Sequence, residues 1–294
     1  MPEIRVRGLA LAVAIALVVT LVAAGGGRSE AESVCGSTVS PPHTYRHVVV
    51  IMEENRTWPR VGGPGFAAMP YMYGLATQCT FYPRWLETNP NQNSLTQYIG
   101  LTSGVDNHAT VNDCLPSACH STDNNIFRQV RDAGGTARTY VEGATSGCQA
   151  ADTPANVPAL YYFGGNDHSF CKTEVRPFAE LDVNRLPTFT MIIPTLCDNG
   201  HDCGNSTADA WLKAHLSSIL AGKSYRSRTT AVFVIYDEDR PVPNLLIAPT
   251  AQEGAIDSPV ASHGAALRTI DEMLGLPVLP SVRGAISLRA SAHI

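Results

Sequence analysis

Apolar positions along this chain gather into short continuous runs separated by helical patterns. The stretch His47-Val48-Val49-Val50-Ile51-Met52 has no polar alternation after its first residue, as expected of a strand covered on both faces. The same reading predicts strands over 136–141, 188–193, 231–236 and 244–248. Between them, apolar residues recur at helical spacing and predict helices over 94–102, 125–133, 208–221 and 263–274. In the third of these, Leu212, Leu216, Ile219 and Leu220 share a face, Thr207 stands at the cap position, and Gly222 follows the end. In the fourth, Ser262 stands at the cap, Leu267, Ile270 and Leu274 line one face, and Gly275 and Pro277 stop the helix. Strand–helix alternation over this length predicts an α/β sandwich. No internal repeat, low-complexity tract or charged linker interrupts residues 32–294, which are expected to form one domain.

The first residues follow a different pattern. Arg5 and Arg7 precede an uncharged apolar run at 9–24, which Gly25-Gly26-Gly27 breaks. Ser29-Glu30-Ala31 then offers small residues at the positions a signal peptidase requires, so residues 1–31 read as a secretory signal peptide. An uncleaved anchor is the alternative, but the run is shorter than the ~20 apolar residues of a spanning helix. The protein is therefore expected to be secreted or extracytoplasmic, in the cell envelope.

Composition narrows the class. Of the 294 residues, 44% are apolar and 16% charged, well under the roughly 25% charged content of typical domains. A disordered acidic chain is excluded. The net charge is −5, and only Lys172, Lys213 and Lys223 of the 21 basic residues are lysines, so no broad basic surface exists for nucleic acid. Without residues 1–31 the net charge is −6. All eight cysteines lie beyond residue 31, and an exported chain with an even number favours disulfides. Cys114 and Cys119, and Cys197 and Cys203, are close enough in sequence to pair locally. Zinc is disfavoured because no CxxC pair finds a matching partner.

Candidate chemistry sits where strands end. The 47–52 run leads directly into Glu53-Glu54-Asn55-Arg56, and the 231–236 run into Asp237-Glu238-Asp239-Arg240. Ligands bind at the carboxyl ends of strands in α/β sheets. Two such acidic clusters would repel each other, and a divalent cation held by Glu54, Asn55, Asp237 and Glu238 resolves the repulsion with oxygen ligands. The bland alternative is two solvated acidic loops. Ser94 opens a predicted helix and by pattern alone reads as its N-cap. As a nucleophile it would have the helix dipole and a nearby cation to stabilise its alkoxide. His201 and Asp202 lie in a polar turn, and His263 in the first turn of the last helix; the other histidines carry no pattern.

Taken in order, these segments resemble one family. Val48-Val49-Val50-Ile51-Met52-Glu53-Glu54-Asn55-Arg56 is similar to the opening motif of the bacterial phosphoesterases, which include phospholipase C enzymes, secreted acid phosphatases and phosphatidylinositol-3-phosphatase-like proteins. Residues 92–104 resemble that family's His-Pro-Ser-x-Pro-Asn-Tyr-x-Ala-x-x-Ser-Gly stretch. Asn199-Gly200-His201-Asp202 and Ala208-Asp209-Ala210-Trp211-Leu212 resemble its Asp-x-His-Asp turn and Gly-Asp-x-Trp-Leu helix. Tyr236-Asp237-Glu238-Asp239, Ser262-His263 and Gly275-Leu276-Pro277 complete the set, in unbroken order over roughly 45–278.

The resemblance implies an alkaline-phosphatase-like sandwich with a central, mostly parallel sheet covered by helices on both faces. It makes Ser94 the nucleophile, and Glu54, Asn55, Asp237 and Glu238 the ligands of a divalent metal ion. His201 and His263 become phosphate contacts or acid/base groups, and Asp202 a supporting carboxylate, with Asp198 and Asn199 beside them. The sequence departs from the family pattern at Gln92, Thr96 and Gln97, at Asn156 where the family has histidine, and at Arg240-Pro241 where it has glycines. The implied function is a secreted metal-dependent phosphoric-ester hydrolase, of acid phosphatase or small phospholipase C type. Its substrate would be a small phosphomonoester or a phospholipid, the latter through peripheral membrane contact, although the acidic chain gives no electrostatic case for anionic membranes. The alternative is an exported binding or cell-envelope protein that keeps the fold with catalysis lost or weakened. A serine esterase is disfavoured by the absence of a Gly-x-Ser-x-Gly elbow.

Overall fold

The computed structural model describes residue 2 and residues 33–61, 67–106, 112–256, 258 and 261–294. The signal-peptide reading of 1–31 lies outside these residues, apart from residue 2, as does His108. Residues 33–294 pack as one compact unit around a single sheet. Its strands are β1 (His47–Glu53), β2 (Thr80–Trp85), β3 (Ala137–Val141), β4 (Val175–Pro177), β5 (Phe189–Ile193), β6 (Thr230–Tyr236), β7 (Val242–Ile247) and β8 (Gly254–Ala255). The spatial order is β4-β3-β5-β1-β6-β7-β2-β8. All neighbours pair in parallel except β6 with β7 and β7 with β2, so β7 alone runs against the rest.

The helices are α1 (Trp58–Val61), α2 (Pro70–Gln78), α3 (Ser94–Ser103), α4 (Pro116–Cys119), α5 (Ile126–Asp132), α6 (Asp167–Glu174), α7 (Asn205–Ala221), α8 (Lys223–Arg226), α9 (His263–Met273) and α10 (Arg289–Ala292). Six of them form two packed groups, α3 with α5 and α9, and α7 with α2 and α8. Every residue of β6 and all but the first of β1 are buried, which requires cover on both faces of the sheet. That cover is why these strands read as unbroken apolar runs. No helix among the described residues is long and apolar enough to cross a membrane.

Five predicted strands and four predicted helices are present, with ends shifted by a few residues. Three strands were not predicted. β2 contains Pro83 and Arg84 and carries a register irregularity, β4 has only three residues, and β8 only two. Helices α2 and α6 also lacked a pattern, because α2 holds a central Gly74 and α6 is mostly polar. Helix α7 starts at Asn205 with Gly204 at its cap, so Thr207 lies inside it and does not cap. Ser262 does cap α9, accepting from Ala265 N–H at 3.1 Å. Helix α3 is buried on all sides, beyond the single face its pattern suggested. Gly100 permits this, since a Cβ there would lie 2.2 Å from Thr88 Oγ1. In α7, Asp209 accepts Tyr71 N–H at 3.0 Å and Met72 N–H at 2.8 Å, satisfying first-turn amides of α2.

All eight cysteines pair, as Cys35–Cys79, Cys114–Cys119, Cys148–Cys171 and Cys197–Cys203. This is the state that an oxidising compartment favours. The two pairs close in sequence do form.

Asp271 on α9 is fully buried. Its Oδ2 accepts Leu279 N–H at 2.9 Å while Oδ1 has no partner, and burial pushes its carboxyl up to about 7. A carboxyl raised in the folded state stabilises fully only below its unfolded value of 3.8, and that contribution is lost as pH rises toward 7. Asp271→Asn removes this dependence. Thermal melts should show the variant gaining about 2–4 kcal/mol on wild type between pH 4 and pH 8; an unchanged difference would refute the assignment.

Candidate active site

The carboxyl ends of β1 and β6 are neighbours, because the two strands pair in register from His47 with Thr230 to Glu53 with Tyr236. The ladder continues one step, with Asp237 N–H donating to Glu53 O at 3.1 Å. Beyond it the chains diverge. Asn55 takes a left-handed backbone with φ 44°, and its N–H donates to Asp237 Oδ1 at 3.1 Å. This turn brings the side chains of residues 54, 55, 237 and 238 to one place, as the sequence predicted.

Ligand atoms of Glu54, Asp237 and Glu238 lie within 4.8 Å of one another. Glu54 and Asp237 are completely buried. Burial raises all three carboxyls, Glu54 well above its ordinary value and Glu238 to about 8, and the charge of Asp237 adds to the rise of Glu54 and Glu238. Asp237 Oδ2 is buried with no hydrogen-bond partner. The tip of the Asn55 side chain lies 3.0 Å from Glu54 Oε2 and Glu238 Oε1. In the bare protein only its NH₂ group can face those oxygens. With a cation present the amide can turn its oxygen inward as a fourth donor. An orphaned carboxylate oxygen within an all-oxygen donor set fits a hard or borderline divalent metal.

Ser94 enters this cluster from α3. The structure puts Asn93 at the cap, without a side-chain cap bond, and Ser94 in the first helical turn. The N-cap reading of Ser94 is therefore replaced: its Oγ lies 3.3 Å from both Glu54 Oε2 and Glu238 Oε1 and can donate to one of them at a time. One turn on, Tyr98 OH donates to Glu54 Oε1 at 2.5 Å, and Asn156 Nδ2 donates to the same oxygen at 2.8 Å. Sequence reasoning missed both as supports. Tyr98 read as part of an apolar helix face, and Asn156 only as a departure from a histidine.

Further residues hold the frame. Glu54 N–H donates to Asn199 O at 3.0 Å, and Arg56 donates to Asn55 O, Gly200 O and Cys203 O. The His201–Asp202 turn, closed by Cys197–Cys203, is thereby fastened to the loop after β1. His201 Nδ1 lies 2.7 Å from Asp202 Oδ1, and both side chains are exposed to solvent. His263 is placed differently. Its ring is wholly buried, with Nε2 3.2 Å from Tyr236 O and Nδ1 3.3 Å from Thr88 Oγ1. A carbonyl can only accept, so Nε2 carries the proton and Nδ1 accepts from Thr88. Burial lowers the imidazole to about 4, which keeps it neutral beside the end of β6. At Arg240, a departure from the pattern, the backbone N–H and Nε donate to Glu87 and tie the loop after β6 to the end of β2.

Residues 65–277 match the model of the Phosphoesterase family. A phosphatidylinositol-3-phosphatase from Mycobacterium tuberculosis is 27% identical over 258 residues, covering 82% of this chain and 81% of that protein. Among solved structures, a protein in the alkaline phosphatase superfamily from Vibrio parahaemolyticus superposes with a TM-score of 0.61 at 11% identity, over 85% of this chain and 70% of that one. A putative sulfatase from Bacteroides thetaiotaomicron gives 0.58 at 11% identity, over 85% and 75%. At such identities these two likenesses speak to the fold, which is the one the sequence implied.

The acidic cluster gives a test that needs no substrate. Protein stripped by a chelator should gain roughly 5–10 °C in melting temperature at a divalent cation concentration a hundred times its dissociation constant. Asp237→Asn should lose most of that gain. A melting temperature indifferent to every divalent cation tried would mean that the cluster holds none.

Proposed function

The chain belongs to the phosphoesterase family and is a phosphoric-ester hydrolase, and we propose that it works as an exported, metal-dependent enzyme with Ser94 as nucleophile. The observation that carries this reading is the hydroxyl of Ser94, 3.3 Å from two carboxylates at the head of a buried helix. Glu54, Asn55, Asp237 and Glu238 would hold the cation. When bound, a divalent cation supplies Lewis-acid charge neutralisation at the serine and at the phosphoryl oxygens.

The chain's own residues do the rest. Ser94 Oγ gives its proton to an adjoining carboxylate and attacks phosphorus; the Oγ–P bond forms as the ester oxygen departs. Water then hydrolyses the phosphoserine and frees the enzyme. The positive dipole end at the start of α3 favours the negative charge of the phosphoryl group. His201, whose Nδ1 is held by Asp202, would protonate the leaving oxygen or contact phosphate through Nε2. His263 acts as a positioning residue, fixing the carbonyl that precedes Asp237. Tyr98 and Asn156 orient Glu54 in the manner of outer-shell partners, which typically tune affinity by 10–100-fold.

Substrates of this reading are small phosphomonoesters or phospholipids. The likeness to a phosphatidylinositol-3-phosphatase favours monoester cleavage over a phospholipase C reaction, and a lipid substrate would bring the protein into peripheral contact with a membrane. Residues 1–31 as a signal peptide, residues 32–294 as one phosphoesterase domain and four disulfides together support secretion or residence in the cell envelope.

Assays on p-nitrophenyl phosphate and on a phospholipid test the proposal. Ser94→Ala should reduce kcat by at least about 10³-fold, and a chelator should abolish turnover until a divalent cation is restored. Turnover that survives Ser94→Ala removes the nucleophile. Cation binding without turnover on either substrate favours the binding-protein reading.

A further inference from the structure

The amide after Ser94 has no partner inside its helix, because first-turn N–H groups point out of the helix end. Such amides attract anions. In this structure Leu95 N–H donates to Asp113 Oδ1 at 2.9 Å. An internal carboxylate thus occupies the anion position next to the proposed nucleophile. Ser94, the residue before this amide, faces the acidic group in which Asp237 Oδ2 is fully buried and without a partner, so the Asp113 carboxylate stands beside a ligand site. Asp113 is also close enough for its charge to act on Glu238.

Its position is held firmly. Asp113 adopts a left-handed backbone, φ 51°, a conformation aspartate takes more readily than most non-glycine residues. The next residue, Cys114, is cross-linked to Cys119, and its carbonyl accepts from Tyr161 OH at 2.7 Å. Tyr161 is itself buried in the core. An ordinary capping acceptor needs none of this restraint.

We propose that Asp113 sets the phosphate affinity of the site by holding its carboxylate where a phosphoryl oxygen of substrate or product binds. Phosphate enters by displacing it and, after hydrolysis, meets it again as a competitor. The bound state of inorganic phosphate is weakened most, because product has no other part with which to hold on. This inference rests on the reading of Ser94 as nucleophile.

The test is inhibition of p-nitrophenyl phosphate hydrolysis by inorganic phosphate, with the full chain as wild type, Asp113→Asn and Asp113→Ser. Asp113→Asn keeps an oxygen for the Leu95 amide and removes the charge, and Asp113→Ser removes the charge with a shorter polar side chain. Ki for phosphate should fall about five-fold or more in each, as expected for removal of one nearby like charge, and KM should fall with it. A residue that merely caps α3 would shift the melting temperature and leave Ki where it was; an unchanged or weaker Ki in the variants therefore overturns the proposal. If Asp113→Asn does not fold, Asp113→Ser carries the same comparison. Wild-type turnover that is lost in Ser94→Ala, together with an unmoved Ki, overturns the role of Asp113 alone. A wild type without turnover, or turnover that survives Ser94→Ala, overturns this inference and the reading beneath it.

Discussion

Glu54, Asp237 and Glu238 share one largely buried place, and like charges taken out of water oppose both folding and one another. The structure around them is arranged to make that tolerable. Tyr98 and Asn156 converge on Glu54 Oε1, the Asn55 amide bridges Glu54 and Glu238, and the Asn55 backbone bonds Asp237. Even so, one oxygen of Asp237 is left without a partner. Burying it bare would carry a penalty of the order of 1–3 kcal/mol or more. The residual demand for positive charge is what a bound cation would meet, and the same demand explains why Tyr98, Asn156 and Asn55 all act as donors.

That arrangement follows from sheet topology. A central strand buried on both faces has no solvent-facing side chains, so polar chemistry is possible only where the strand stops. Strands β1 and β6 stop side by side, and each exit is pulled into shape by a different device. On β1 it is the left-handed turn at Asn55, locked by Arg56 to the His201 turn. On β6 it is Asn244, whose side chain accepts Tyr236 N–H at 2.8 Å, and His263 on the Tyr236 carbonyl. Asn244, which lies inside a predicted strand, and His263, which the resemblance makes a phosphate contact or acid/base group, are thus braces for the end of β6.

The central strands and the acidic residues after them were legible because the signal is local: an unbroken apolar run followed at once by charge. That the side chains of Glu54, Asp237 and Glu238 come together could be expected for the same reason. Ser94 was harder, since one residue separates a cap from a first-turn position, and only the fold shows that its hydroxyl faces carboxylates. Tyr98 and Asn156 were not legible as supports. Their partner, Glu54, is 44 residues from Tyr98 and 102 from Asn156, and a tyrosine on an apolar helix face resembles any other core residue. Asp113 lay between unpatterned stretches, and its contact with Leu95 spans 18 positions. Strand β2 stayed hidden because Pro83 and Arg84 break its apolar run. Pairing with β7 and β8 keeps the first three and the last of its residues buried all the same.

The pairing of β1 with β6 has one more consequence. The contact between Asn55 and Asp237 joins positions 182 residues apart, and nothing local in either segment holds the acidic groups together. The cluster therefore exists only once β1 and β6 have paired, and an unfolded chain has no such centre. A chain threaded unfolded across a membrane would travel without its ion. If the chain is exported in that way and the cluster takes a metal, the ions present where it folds, and not those where it is made, would decide which metal that is.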